Sequence, residues 1–359
     1  MIIVFGWNSS FFTFEKEELD AFPPLFICNL SFHGFLMNRP ARDKFFDSHN
    51  EIVTNIDNEV WIDKNLLLIQ KFIVNVKPFT IVELKSFYED LLHLGVFYAE
   101  EMLLPDKATL DQFDAAGLLD RTSFWANINT YSSFDKPAQK RVFGIKVFTD
   151  GALGSRTAAM AEPFLTGEKG VLLHTDQQLQ DMIAKVAAVN KPISIHAVGD
   201  LATAQVINVI HKMASDNKTL PPVIRMEHCM FISLANAKKA KALGMVLSMQ
   251  PNFNYDSLQY SDRLLPKYCL ENNPFRKLID QAGFIPGIDL IFGSDGMPHG
   301  IDYALKQSLF PPYDCQRLTL EEFSAGYCMK NMEHGHIDLA IDEENKTLST
   351  EVKLKCTRK

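Results

Sequence analysis

From about Ile81 onward, apolar positions alternate between a helical period and short continuous runs. Residues 82–94 carry Leu84, Phe87, Leu91 and Leu92 on one stripe with charges between them, which predicts a helix. A strand-like run follows at 95–99, then a helical stretch near 109–118 and strands at 124–131 and 141–149. Residues 177–189 read as a strong helix, with Leu179, Met182, Ile183, Val186 and Ala187 on one face. Strand and helix then alternate: strands at 192–198, 223–230, 245–250 and 288–293, with helices at 201–214, 233–243 and 274–282. Strands that alternate with helices predict βα units on a parallel sheet. Before about Lys85 the pattern is irregular apart from a buried strand at 25–30, and the apolar run 66–76 fits helix or strand equally.

Seven strands after Gly95 fit either a barrel of the TIM type or a doubly wound sheet. The polar residues discriminate. Lys146 sits in one strand, His196 ends the next, Glu227 and His228 end another, and Asp295 ends the last. Polar groups at the C-terminal ends of separate parallel strands are how a barrel assembles a site. A lone histidine after an apolar strand is usually a hydrogen-bonded core group. Two on consecutive strands, with an aspartate on a later one, favour ligation of one divalent ion, zinc by donor type. Lys146 within an apolar strand needs a partner, and a carbamylated lysine would be an anionic ligand. No G-x-G-x-x-G follows the first strand and no G-x-S-x-G is present, so neither a nucleotide fold nor a serine hydrolase is supported.

Composition narrows the classes further. The 359 residues, 47% hydrophobic and 22% charged, are enough for a large core and read as globular. Lys+Arg 36 against Asp+Glu 44 leaves a formal charge of −8, which argues against nucleic acid or an anionic membrane as partner. No apolar run approaches a membrane span, and Met1 to Phe5 has no basic region before it, so no signal peptide is expected. The six cysteines Cys28, Cys229, Cys269, Cys315, Cys328 and Cys356 form no C-x-x-C pair and read as free thiols in a cytoplasmic protein. His334-Gly-His336 has the spacing that puts two rings on one face of a strand, but it lies in a polar tail, and a metal role there is the weaker reading. His49, His93, His174 and His211 read as surface, and His299 could line the mouth of the site.

Four runs together resemble one family. Val147-Phe-Thr-Asp-Gly-Ala-Leu-Gly-Ser-Arg-Thr-Ala158, Ser194-Ile-His-Ala-Val-Gly-Asp200, Arg225-Met-Glu-His228 and Gly293-Ser-Asp295 are similar to the YtcJ-like metal-dependent amidohydrolases, amidohydrolase family 3 of the amidohydrolase superfamily. Ser248-Met-Gln-Pro251 falls between the last two in the right order. Gly6-Trp7, Ser31-Phe-His-Gly-Phe-Leu-Met-Asn38 and Leu94-Gly-Val96 extend the likeness, which runs from about Phe5 to Met332. The resemblance implies a (β/α)8 barrel with an inserted segment that faces the substrate. It also implies hydrolysis of a carbon–nitrogen bond of a small molecule other than a peptide. His196 and His228 match ligands of the fifth and sixth strands. Asp295 matches an eighth-strand aspartate that binds metal and acts as general base. Lys146 matches the fourth-strand position that bridges two metals when carbamylated. His33, Asn38, Asp150 and Arg156 are the expected substrate-facing residues.

The sequence also departs from the pattern. The family's opening β-domain and first-strand H-x-H find no counterpart here, and neither does its closing return strand. The expected organisation is an inserted segment at 1–85, a barrel without its first strand at 86–332 and a tail at 333–359. One zinc or other divalent ion is expected in place of two. An open barrel edge would favour a homo-oligomer. The alternative is a catalytically impaired remnant that binds a ligand or does nothing.

Overall fold

The computed structural model describes residues 1–9, 11–296, 298–328 and 334–355. Its centre is a seven-stranded parallel sheet: β4 (Ala99–Glu101), β5 (Thr122–Ala126), β6 (Val142–Phe148), β7 (Ile193–Ala197), β8 (Ile224–His228), β9 (Val246–Met249) and β10 (Leu290–Phe292). The order is β10-β9-β8-β7-β6-β5-β4, so neighbours in space are neighbours in sequence, as the βα alternation requires. The sheet curls until its two edge strands line the same cavity, giving a partial TIM-type barrel.

The middle strands are buried on both faces, because helices cover the apolar outer side and the barrel interior encloses the more polar inner one. On β6, Ile145 and Val147 join the main core under the helices. By the period of two, Gly144, Lys146 and Phe148 therefore point inward. The same alternation sends Ile193, Ile195, Ile224 and Met226 outward, and leaves Ser194, His196, Arg225 and Glu227 facing in. Gly144 is required here: a Cβ at this position would lie 2.2 Å from the Trp125 ring, which fills the interior opposite it.

The N-terminal region is more ordered than the irregular pattern implied. β1 (Ile2–Trp7), β2 (Leu25–Asn29) and β3 (Phe35–Met37) form a small sheet, parallel between β1 and β2 and antiparallel between β2 and β3. Helices Arg39–Phe45, Asn50–Asn55, Glu59–Lys64 and Leu66–Val76 pack on it around Phe26, Phe35, Ile69 and Phe72. The ambiguous run 66–76 is thus helical, burying Leu66, Ile69, Phe72 and Ile73 on one stripe. Phe148 packs against this second core and ties it to the barrel.

Three boundaries differ from expectation. The strand expected at 95–99 starts only at Ala99, because Gly95, at φ +80°, turns the chain out of helix Ile81–His93 first. The strand at 124–131 ends at Ala126, since the Asn127 side chain accepts from Asn129 N and caps helix Ile128–Ser133. The helix expected at 274–282 is wound over Lys277–Gln281 as a single wide turn. The tail forms a hairpin, β11 (Gly335–Asp342) with β12 (Thr347–Leu354), bonded to neither sheet. The expected end of the barrel at Met332 and the thiol of Cys356 lie outside the described residues. No helix among the described residues is long and apolar enough to cross a membrane.

Candidate active site

His196 and His228 end adjacent strands, and their rings lie 4.6 Å apart, centre to centre. His228 has φ +70° and Cys229 φ +51°. The chain turns sharply there, which breaks the strand's alternation and lets the His228 ring face its neighbour. Its Nδ1 donates to Gln250 Oε1 at 2.8 Å. An amide oxygen only accepts, so this contact leaves Nε2 with a lone pair. His196 Nε2 donates to the Gly151 carbonyl at 3.0 Å. Both imidazoles are held below their ordinary pKa, chiefly by burial, so both are neutral at pH 7.

Asp150 lies 3.5 Å from His196 Nε2. It accepts from the backbone N–H groups of Ala159, Val198 and Gly199 at 2.9, 3.0 and 2.8 Å. Its carboxylate therefore pins the 150–159 loop to the turn after β7. Burial pushes its pKa up to about 7 despite those donors. Arg156, on the same loop, has φ +57° and a buried Nε without a partner. The nearby charges that feel it are Glu59, Glu168 and Asp262, and it does not line the cavity described below.

A cavity of about 1200 Å³ occupies the barrel interior and opens between the sheet's edges. Lys146, Glu227, His228, Gln250 and Asp295 all line it. Glu227 accepts from Arg225 Nε at 2.5 Å and from Ser194 Oγ at 2.6 Å. Arg225 also pairs with Glu100 at 2.7 Å and lies over the Trp125 ring. Burial pushes the Glu227 pKa up, but Arg225 and Lys146 outweigh it and bring the group down to about 2. Lys146 is buried with its amine 5.1 Å from the Phe148 ring centre, and burial lowers its pKa. Asp295 is exposed and sits at φ +58° beyond the edge strand β10.

His33 arrives from the N-terminal region, its ring 5.2 Å from that of His196. Its Nδ1 contacts Asp63 Oδ1 at 2.6 Å, and both side chains are buried. The second oxygen of Asp63 has no hydrogen-bond partner. Asn38 is spent on backbone groups: its amide donates to Leu19, Phe22 and Pro23 carbonyls while its oxygen accepts from Leu25 and Ala41 N–H. It caps a helix and closes the turn before β2. His334 stacks on Phe97, whereas His336 is exposed, so the tail pair does not act as one unit. His49 is packed between Phe45 and Phe72, and His174 is half-buried, contrary to the surface positions expected for both.

Sequence reasoning missed Asp63, Gln250 and the Arg225–Glu100 pair. Asp63 carried no signal, being one acid on a short helix. Gln250 lies in the Ser248–Pro251 run and Arg225 in the Arg225–His228 run, so both positions were visible but without a role.

The expected ligands therefore come together in part. His196 and His228 are neighbours, and Lys146 and Asp295 line the cavity that His228 faces. The donor types suit a divalent ion. The arrangement does not: among the described residues, no three His, Cys, Asp or Glu side chains converge so that one ion could be held.

Comparison with known proteins agrees with this architecture. The sequence profile of the amidohydrolase family matches residues 85–303, more than half of the chain. The YtcJ protein of Bacillus subtilis, whose name carries the word amidohydrolase, is 33% identical over 224 residues, 57% of this chain and 41% of that protein. The LONG AFTER FAR-RED 3 protein of Arabidopsis thaliana is 26% identical over 115 residues, 32% of this chain and 20% of that one. The matches thus span well under half the length of either curated relative. Among solved structures, an uncharacterised metal-dependent hydrolase from Pyrococcus furiosus superposes with a TM-score of 0.64 at 20% identity, covering 91% of this chain and 71% of that one. A second, from Pyrococcus horikoshii, gives 0.62 at 22% identity over 86% of this chain and 65% of that one.

Proposed function

The chain belongs to the amidohydrolase family, and on that premise we propose that it hydrolyses a carbon–nitrogen bond, other than a peptide bond, in a small molecule. One observation carries the reading: two imidazoles from adjacent strands, 4.6 Å apart, of which the His228 ring lines a cavity that Asp295 and Lys146 also line. Asp295 is the general base. It takes the proton of the attacking water and returns it to the leaving amine. His196, His228 and Asp295, with Lys146 as a carbamate, are the metal-binding set, and their nitrogen and oxygen donors suit zinc. Holding an ion requires Asp295 to move toward the two rings. His33, oriented by Asp63, faces the substrate. Asp150 and Arg156 shape the loop beside it, and Asn38 fixes the segment that carries His33. The buried free thiols Cys28, Cys229 and Cys269 suit a reducing cytoplasm.

The unconverged donors favour a second reading, a protein of this fold that binds a ligand without turnover. An assay of the full chain on a panel of formamides and N-acyl amines, with and without added zinc, separates the two. Zinc-dependent release of amine that is lost in Asp295→Asn supports hydrolysis. No amine release from any substrate, with binding intact, supports the second reading.

A further inference from the structure

The loop that holds His196 is itself held from outside its own βα unit. Residues 151–157 close on themselves: Gly151 N–H donates to the Thr157 carbonyl at 3.3 Å, Thr157 N–H to the Ala152 carbonyl at 3.1 Å and Arg156 N–H to the Leu153 carbonyl at 3.1 Å. A ring this small and this bonded moves as one piece. Its Gly151 carbonyl accepts from His196 Nε2 at 3.0 Å. Its Gly154 carbonyl accepts at 2.8 Å from Nη1 of Arg263, which lies 109 positions further along the chain.

We propose that Arg263 is a positioning residue for His196: through the Gly154 carbonyl it fixes the loop whose Gly151 carbonyl sets the place and the tautomer of that imidazole. Arg263 lies between helices Asp256–Gln259 and Pro266–Glu271, in the excursion that follows β9. Its side chain is only 2% exposed. A buried guanidinium is costly unless it is well met, and here its donors are divided by task. Nε and Nη2 donate to the two oxygens of Asp262 at 3.1 and 3.0 Å, and the Tyr260 ring centre lies 5.0 Å from Cζ. That fork fixes the plane of the group and aims Nη1 at Gly154. The main chain repeats the link, since Leu165 N–H donates to the Arg263 carbonyl at 2.8 Å.

Apolar packing alone does not supply this. Leu153 and Ala158 share a core with Tyr260 and Leu264, but such contacts are non-directional and do not choose where a carbonyl points. A hydrogen bond from a fixed, charged donor does. The second imidazole provides the contrast. His228 is held by Gln250 Oε1, just past β9 and outside the loop. Loss of Arg263 therefore acts on one ring and not on the other. The inference rests on the hydrolase reading only for the use made of His196. The placement itself belongs to the chain without substrate or metal, so it can be tested where no turnover is found.

The test compares the full chain, carrying isotope-labelled histidine, with Arg263→Met, which removes the donors and keeps the bulk, and Arg263→Lys, which keeps the charge and a donor. Nitrogen–proton correlation spectra report the tautomer of each ring, and amide hydrogen exchange reports the loop. The parent should show His196 protonated at Nε2 and His228 at Nδ1. In Arg263→Met the His196 ring nitrogens should shift toward the average of the two tautomers while those of His228 stay in place. Exchange at 151–158 should rise about tenfold or more, as for the loss of one charged hydrogen bond. Arg263→Lys should restore most of the His196 signal. An unchanged His196 spectrum in Arg263→Met would overturn the proposal. So would equal displacement of His196 and His228, the mark of general loosening, or a lysine variant no better than the methionine one. If Arg263→Met does not fold, Asp262→Asn at the half-exposed end of the fork carries the same test: a shift confined to His196 supports the proposal, and no shift overturns it.

Discussion

The middle of the sheet and its edges treat their side chains differently. On β7 and β8 every residue is buried, and each strand is bonded on both sides. Their polar groups are correspondingly well held: Glu227 by Arg225 and Ser194, His228 by Gln250, His196 by Gly151. The edges β4 and β10 are three residues long and each pairs with one strand of the sheet, β10 adding only a single bridge from Leu290 to Pro286. Asp295, which follows β10, is exposed in a left-handed turn and does not reach the imidazoles closely enough to share an ion. A side chain's place in the sheet, and not its residue type alone, decides whether it is preorganised.

The largest expected effect is at the buried pair. Arg225→Ala leaves Glu227 buried without its cation and should cost about 3–5 kcal/mol in urea unfolding. A loss below about 1 kcal/mol would mean that the central network is no firmer than a surface pair. The pH dependence has a definite sign. Glu227 has its folded pKa lowered from 4.5 to about 2. Its contribution is therefore complete above about pH 4.5 and is lost as the pH falls toward 2. Acid unfolding of Arg225→Ala should lack that component.

Packing provides the next contrast. Gly144→Ala drives a methyl into the Trp125 ring at the centre of the sheet. It should cost about 1–3 kcal/mol in thermal or urea unfolding. A neutral result would show that the Trp125 ring yields freely.

Much of this was legible in the residues. The seven parallel strands and their order follow from apolar runs separated by helical stripes, since strands buried on both faces leave a strong signal. The pairing of His196 with His228 follows from their positions at neighbouring strand ends. The N-terminal helices were not legible, because elements of five to seven residues, such as Arg39–Phe45 and Glu59–Lys64, are too short to display a period. Asp63 was invisible because its partner, His33, lies thirty residues away on another element. The displacement of Asp295 was equally hidden. Its motif reads the same whether β10 is an inner or an edge strand.

A smaller effect is expected where a side chain only orients a ligand. Gln250→Ala frees the His228 ring and should weaken zinc binding about 10–100-fold, with unfolding little changed. Unaltered zinc affinity in a calorimetric titration would remove Gln250 from the site. The smallest effect belongs to the edge. Just past β10, a Cβ at Gly293 meets nothing within 4 Å. Gly293→Ala should stay within about 0.5 kcal/mol of the parent protein. A loss comparable to that of Gly144→Ala would erase the distinction between centre and edge.

The central proposal is that the central half of this chain's candidate metal site is formed and its edge half is not. Elemental analysis of the purified full chain, before and after dialysis against a chelator, tests it most directly. The account predicts at most one zinc per chain, removed by the chelator and regained on titration. Two ions per chain that survive the chelator would contradict it, because they demand a closed ligand set that these strands do not form among the described residues.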